Sequence, residues 1–192
     1  MILSFDILTV IPTLEELLKA EKSYYDILYT HWHHRELFTI RWWFLVILSI
    51  LPPIIWWKLL DKKRSFEILV FGLFLGTIAS ILDSIGSTTL LWFYPVRLSP
   101  YLYPQFYPYD VSLVIIPFML AFQYCTETKK FIVVVVVVAA FIAFIAEPFM
   151  AWIGVYQQLT WEHIYSFVIY IAIALLCYKI VGFLKERSTT LT

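Results

Sequence analysis

Residues Phe131–Val155 read FIVVVVVVAAFIAFIAEPFMAWIGV, and this stretch decides the fold. Its single charged side chain is Glu147. A hydrocarbon core about 30 Å thick is crossed by about 20 apolar residues in a helix, the conformation that satisfies every backbone group without water. The six valines Val133–Val138 fit a lipid-facing helix.

Working outward from it, Trp42–Leu60, Phe66–Leu91 and Ile164–Phe183 are further spans of the same kind. Val111–Cys125 is shorter and contains Pro117; it draws on the aromatic run Tyr101–Tyr109 before it. The charges require it as a fifth span. Lys and Arg favour cytoplasmic loops. The first connection carries Asp61, Lys62, Lys63 and Arg64, the third Lys129 and Lys130, and the tail Lys179, Lys185 and Arg187. The second, Trp92–Asp110, has only Arg97, and the fourth, Tyr156–His163, has no Lys or Arg. This alternation predicts an N-terminus outside and a C-terminus in the cytoplasm.

Composition agrees. Of the 192 residues, 61% are hydrophobic and 15% charged, and the mean hydropathy is +0.81. Soluble domains run nearer about half apolar and about a quarter charged. The formal net charge is zero, which argues against a nucleic-acid partner. The 8 Trp and 13 Tyr suit the two bilayer interfaces, where an amphipathic ring has one wet end. Cys125 and Cys177 fall toward cytoplasmic helix ends, which suits reduced thiols. Met1–Pro12 is apolar but has neither a basic start nor a small-residue cleavage site, so it does not read as a cleaved leader.

Ahead of the spans, Thr13 and Glu16 form a capping-box pair opening a helix. Its apolar side, Leu14, Leu17, Leu18, Tyr24, Tyr25 and Leu28, predicts a helix on the outer membrane surface. The expected organisation is residues 1–37 as an extracytoplasmic segment, 38–184 as a five-helix transmembrane domain and 185–192 as a short cytoplasmic tail. The fold class is an all-α polytopic membrane bundle with an N-terminal amphipathic helix.

The informative polar residues are the acids inside the spans. Asp83 and Glu147 each lie eight residues before the outer end of a span, roughly 12 Å deep at the helical rise per residue. Asp83 falls on the stripe Gly72, Gly76, Ser80, Ser84, and Glu147 on the small face Ala139, Ala143, Ala146, Ala151, Gly154. Small residues at this spacing let helices approach closely, so both acids point at protein. On the last span His163 and Tyr170 share an arc, and Asp110 caps the outer end of the short one. The expectation is a polar pocket in the outer half of the bundle. Asp83, Asp110, Glu147, His163 and Tyr170 line it, with Trp92, Tyr94 and Arg97 from a lid over residues 92–109.

Intramembrane acids are costly and point to function by default. The competing reading is packing, with Asp83 and Glu147 protonated or paired with Arg97 or Arg41. His31, His33 and His34 lack metal-ligand spacing and read as a solvated cluster. No metal site and no cofactor is expected.

From Asp61 onward the phrases Leu82–Gly86 (LDSIG), Leu91–Pro95 (LWFYP), Pro108–Asp110 (PYD), Pro117–Tyr124 (PFMLAFQY), Glu147–Phe149 (EPF), Trp152–Tyr156 (WIGVY) and Tyr165–Tyr170 (YSFVIY) resemble an uncharacterised family of small multi-spanning membrane proteins of Bacillus-like and clostridial spore-formers. The resemblance implies a plasma-membrane location and no assigned activity. Asp83 before a glycine and Trp92-x-Tyr94 also resemble bacterial lycopene-cyclase-type membrane proteins, although only Glu147–Pro148 stands where that type carries paired glutamates.

The leading functional expectation is a non-enzymatic binding, accessory or envelope protein whose partners are membrane lipid and a lipid-like or small-molecule ligand. An alternative is a membrane enzyme acting on a lipid or isoprenoid, with Glu147 or Asp83 as the catalytic general acid. A third is a small transporter subunit with Glu147 carrying a proton, against which the odd span number and absent inverted repeat count.

Overall fold

The computed structural model describes residues 11–102 and 106–190. Expectations for residues 1–10, for 103–105 of the aromatic run and for the last two residues lie outside these. The fold is an all-α bundle, and four of its helical stretches are long and apolar enough to cross a membrane: Ile40–Leu59, Ser65–Thr88, Thr128–Ile153 and His163–Arg187.

Helix α1, Leu14–His31, opens with the expected capping box. Glu16 N–H donates to Thr13 Oγ1 at 3.2 Å, and Thr13 N–H donates to Glu16 Oε2 at 2.8 Å. The bond from the Thr13 backbone holds the Glu16 carboxyl below its ordinary value. Leu14, Leu17, Leu18, Tyr24 and Tyr25 stay exposed, while Leu28 is buried. A wide π-helical turn, Trp32–Glu36, then leads to α2, Ile40–Leu59.

Helix α2 is the most peripheral span, with only 11% of its apolar window buried. Helix α3, Ser65–Thr88, is the most enclosed, at 39%. Its small residues explain why. A Cβ on Gly72 would lie 2.5 Å from Met119 Sδ, so any larger residue there would have to push the Met119 thioether aside.

The short fifth segment is Phe106–Ile115, a wide-turned stretch kinked at Tyr107, followed by α4, Ile116–Tyr124. Pro117, in the first turn of α4, supplies no N–H and disfavours regular α geometry just before it. Asp110, expected as a cap, lies inside the wide-turned stretch. Val114, Ile115, Ile116, Phe118, Met119 and Phe122 are all buried, so this segment forms the bundle's centre. Gln123 ties its C-terminal end to the first connection: its Oε1 accepts from Asp61 N–H at 3.0 Å and its Nε2 donates to Leu59 O at 2.8 Å.

The Phe131–Val155 stretch becomes α5, Thr128–Phe141, a wide π turn, Ile142–Ala146, and α6, Glu147–Ile153. The cause is again a proline. Pro148 breaks the α ladder and the chain widens by one turn, which places Glu147 where the turn closes. Gly154, at φ 81°, ends α6 in the left-handed conformation that glycine adopts without strain. Helix α7, His163–Thr190, completes the bundle. One extended pairing among the described residues joins β1, Trp92–Phe93, to β2, Gln157–Gln158, antiparallel. It links the C-terminal ends of α3 and α6. Both cysteines are free thiols.

Candidate functional site

A cavity of about 240 Å³ lies beneath that pairing, walled by α3, the Asp110 stretch, α6 and α7. Asp83, Asp110, Glu147, Tyr170, Trp92 and Tyr94 all line it. The rest of the wall is mostly aliphatic and aromatic.

Asp83 reaches the cavity from α3 and is only 5% exposed. Two donors fix it, both on one oxygen: Trp92 Nε1–H at 2.9 Å and Tyr94 O–H at 2.7 Å to Oδ1. Its other oxygen, Oδ2, is buried with no protein hydrogen-bond partner. Gly86, one helical turn on, makes this arrangement fit. A Cβ there would lie 2.0 Å from Trp92 Cη2, so the indole rests on bare helix backbone.

Asp110 lines the same cavity, and its Oδ2 is likewise buried and unpartnered. Glu147 differs. Its Oε1 accepts from Tyr170 O–H at 2.8 Å, and its Oε2 lies 2.9 Å from His163 Nδ1. The Gln158 amide stands 2.9 Å from the same ring nitrogen. His163 therefore backs Glu147 rather than lining the cavity.

Arg97 is a correction. Expected at the pocket and as a partner for the acids, it is buried elsewhere. Its backbone N–H donates to Glu36 Oε2 at 2.6 Å, its carbonyl accepts from Trp32 Nε1–H at 3.0 Å, and its guanidinium lies over the Phe93 ring at 4.9 Å. The loop that carries it folds toward the π turn after α1, so Arg97 tethers the N-terminal helix instead. Arg41 also fails to reach the acids and packs against Gly154. The packing reading loses its proposed ion pairs. His31 remains exposed, as expected of the histidine cluster, and its Nδ1 lies 2.9 Å from Oε1 of buried Glu36, the one acid within its reach among the described residues.

Tyr109 of the expected lid and Ser166 of the polar arc on α7 also line the cavity, with Tyr156 and Trp161, which the sequence did not single out. Tyr109 O–H stands 3.0 Å from Val96 O and 2.9 Å from Val155 O, bonding the two loops that roof the cavity. Trp161 Nε1–H donates to Ser166 Oγ at 2.9 Å. The available signal was the short, aromatic fourth connection, whose ends lead directly from the Glu147 helix to the Tyr170 helix.

No family model, curated protein or solved structure matches the chain.

Proposed function

We propose that this chain is a multi-pass plasma-membrane protein that binds a small ligand in its outer-half cavity, without catalysing a reaction on it. The observation that carries this reading is the pair of buried carboxyl oxygens, Asp83 Oδ2 and Asp110 Oδ2, on one cavity with no protein partner. Leaving a buried polar group unsatisfied costs about 1–3 kcal/mol, an arrangement that packing alone gives no reason to keep. Five spans, an outside N-terminus and a cytoplasmic C-terminus are part of the proposal. The alternation of basic loops supports them. So does the course of Phe106–Tyr124, bonded near one end to the roof through Tyr109 and near the other to the basic first connection through Gln123.

Native mass spectrometry of the wild-type protein beside Asp83→Asn and Asp110→Asn tests this. The expected result is a retained small molecule in the wild type that is lost from the variants. Identical spectra without adduct, together with unchanged thermal stability, would overturn the reading.

A second reading is favoured by one observation. Glu147 is flanked by His163 and Tyr170 at the cavity wall, the arrangement of a positioned proton donor. An enzyme acting on a lipid or isoprenoid would use it so. A cavity of about 240 Å³, against the roughly 150 Å³ that accepts benzene, would take one end of such a molecule. Turnover of a lipid substrate that vanishes in Glu147→Gln, with the fold intact, would establish this alternative over simple binding.

A further inference from the structure

We infer that the cavity takes a small protonated amine, held between Asp83 and Asp110 beneath a roof of aromatic rings. The inference rests on the binding reading above and names its ligand class.

Charge gives the first argument. Three carboxyl groups line the cavity, and no Lys, Arg or His is among its described lining residues. Glu147 has its own donors in Tyr170 and His163. Asp83 Oδ2 and Asp110 Oδ2 have none. Buried charge has to be paired, and buried acceptors require donors. A protonated amine supplies both at once, because its cationic head carries several N–H groups. An anion has neither, and a hydroxyl has the donor without the charge.

The walls give the second. Trp92 and Trp161 meet edge to face, with centroids 5.1 Å apart and planes at 70°. Tyr94 lies 4.6 Å from Tyr109 and 5.7 Å from Tyr156. All five line the cavity, and aromatic faces attract cations that have left water. The donors Trp92 and Tyr94 also hold Asp83 by Oδ1, which orients the second oxygen before any ligand arrives. Size gives the third. A volume of about 240 Å³ exceeds the roughly 150 Å³ of a cavity that accepts benzene, which suits an amine carrying a single ring.

Isothermal titration calorimetry of the full-length protein in detergent, against blank micelles, provides the test with three probes of similar size. These are benzylammonium, benzyl alcohol and benzoate, all in potassium chloride of equal ionic strength. Benzylammonium should bind about tenfold or more tighter than benzyl alcohol, a difference of about 1.4 kcal/mol, and benzoate should not bind. Asp110→Asn is the decisive variant, because no described hydrogen bond of the fold is lost with its charge. It should weaken benzylammonium about tenfold and leave benzyl alcohol unchanged; Asp83→Asn should do the same. Equal affinity for ammonium and alcohol would overturn the inference while leaving a small-molecule site in place. Affinity for benzylammonium that survives Asp110→Asn and Asp83→Asn would overturn it also. Failure of all three probes to bind the wild type would overturn both the inference and the binding reading.

Discussion

Replacing Gly86 by alanine should unseat the roof of the cavity, and the structure gives the size of the effect. The new Cβ would stand 2.0 Å from Trp92 Cη2 and 2.2 Å from Cζ2. Carbon atoms in contact sit about 3.5 Å apart or more, so the indole has to retreat by about 1.5 Å. Its Nε1–H bond to Asp83 Oδ1, now 2.9 Å, would pass the distance at which such bonds hold, about 3.2 Å. Overpacking costs about 1–3 kcal/mol, and the lost hydrogen bond about as much. Because Trp92 sits on a strand of only two residues, which can give, the sum should fall in the lower half of the combined range, about 2–4 kcal/mol. For a chain of 192 residues this lowers Tm by roughly 4–16 °C. The assay is thermal unfolding in detergent of Gly86→Ala, Trp92→Leu and the double variant. With the ring gone, Gly86→Ala should become neutral or even stabilising, since alanine is the better helix former by about 1 kcal/mol. Equal costs in both backgrounds, additive to within about 0.5 kcal/mol, would refute the claim that the glycine serves the indole.

Three further outcomes are expected. Gln123→Leu removes the acceptor for Asp61 N–H and the donor to Leu59 O, and should destabilise the protein by about 1–3 kcal/mol; an unchanged melting profile would mean that this junction is not held by Gln123. Glu36→Leu strands the Arg97 N–H and releases His31. Amide exchange should rise through α1 and residues 92–100 while α3 stays protected; uniform protection would show that Glu36 does not tether α1. Glu16 titrates below its ordinary value because the Thr13 backbone bonds its charged form. A lowered folded value stabilises the helix above the unfolded pKa and is lost as pH falls through the folded one, so the start of α1 should fray in acid. A carboxyl NMR titration should show the depression abolished in Thr13→Ala, and a wild-type Glu16 at its unperturbed value would contradict the capping box.

The sequence by itself determined the solvent and the number of long apolar helices. Hydropathy sums over neighbours along the chain, so Phe131–Val155 could be read without knowing anything it touches. The capping box of Thr13 and Glu16 is local in the same way, spanning one helical turn. That Asp83 and Glu147 lie near the ends of their apolar stretches followed from counting residues, although α3 ends at Thr88 and α6 at Ile153, five and six residues beyond them rather than eight. Their facing followed from the small residues beside them.

What only the tertiary structure decided is who meets the acids. Arg97 was the obvious counter-ion on charge alone, yet its loop bonds to Glu36, 61 residues earlier. Asp83 is instead held by Trp92 and Tyr94, and Glu147 by Tyr170 and His163. Partners such as these depend on how each helix is rotated about its axis and on where its loops land. That rotation is set by close contacts, Gly72 on Met119 from a later segment and Gly86 under Trp92 just beyond the end of its own helix. The two prolines act in between. Pro117 and Pro148 are visible in the sequence as helix breakers, but that the chain answers each with a wide turn, at Asp110 and just before Glu147, depends on the packing around it. Local energies fixed the helices, and non-local contacts turned three of their acids onto one cavity.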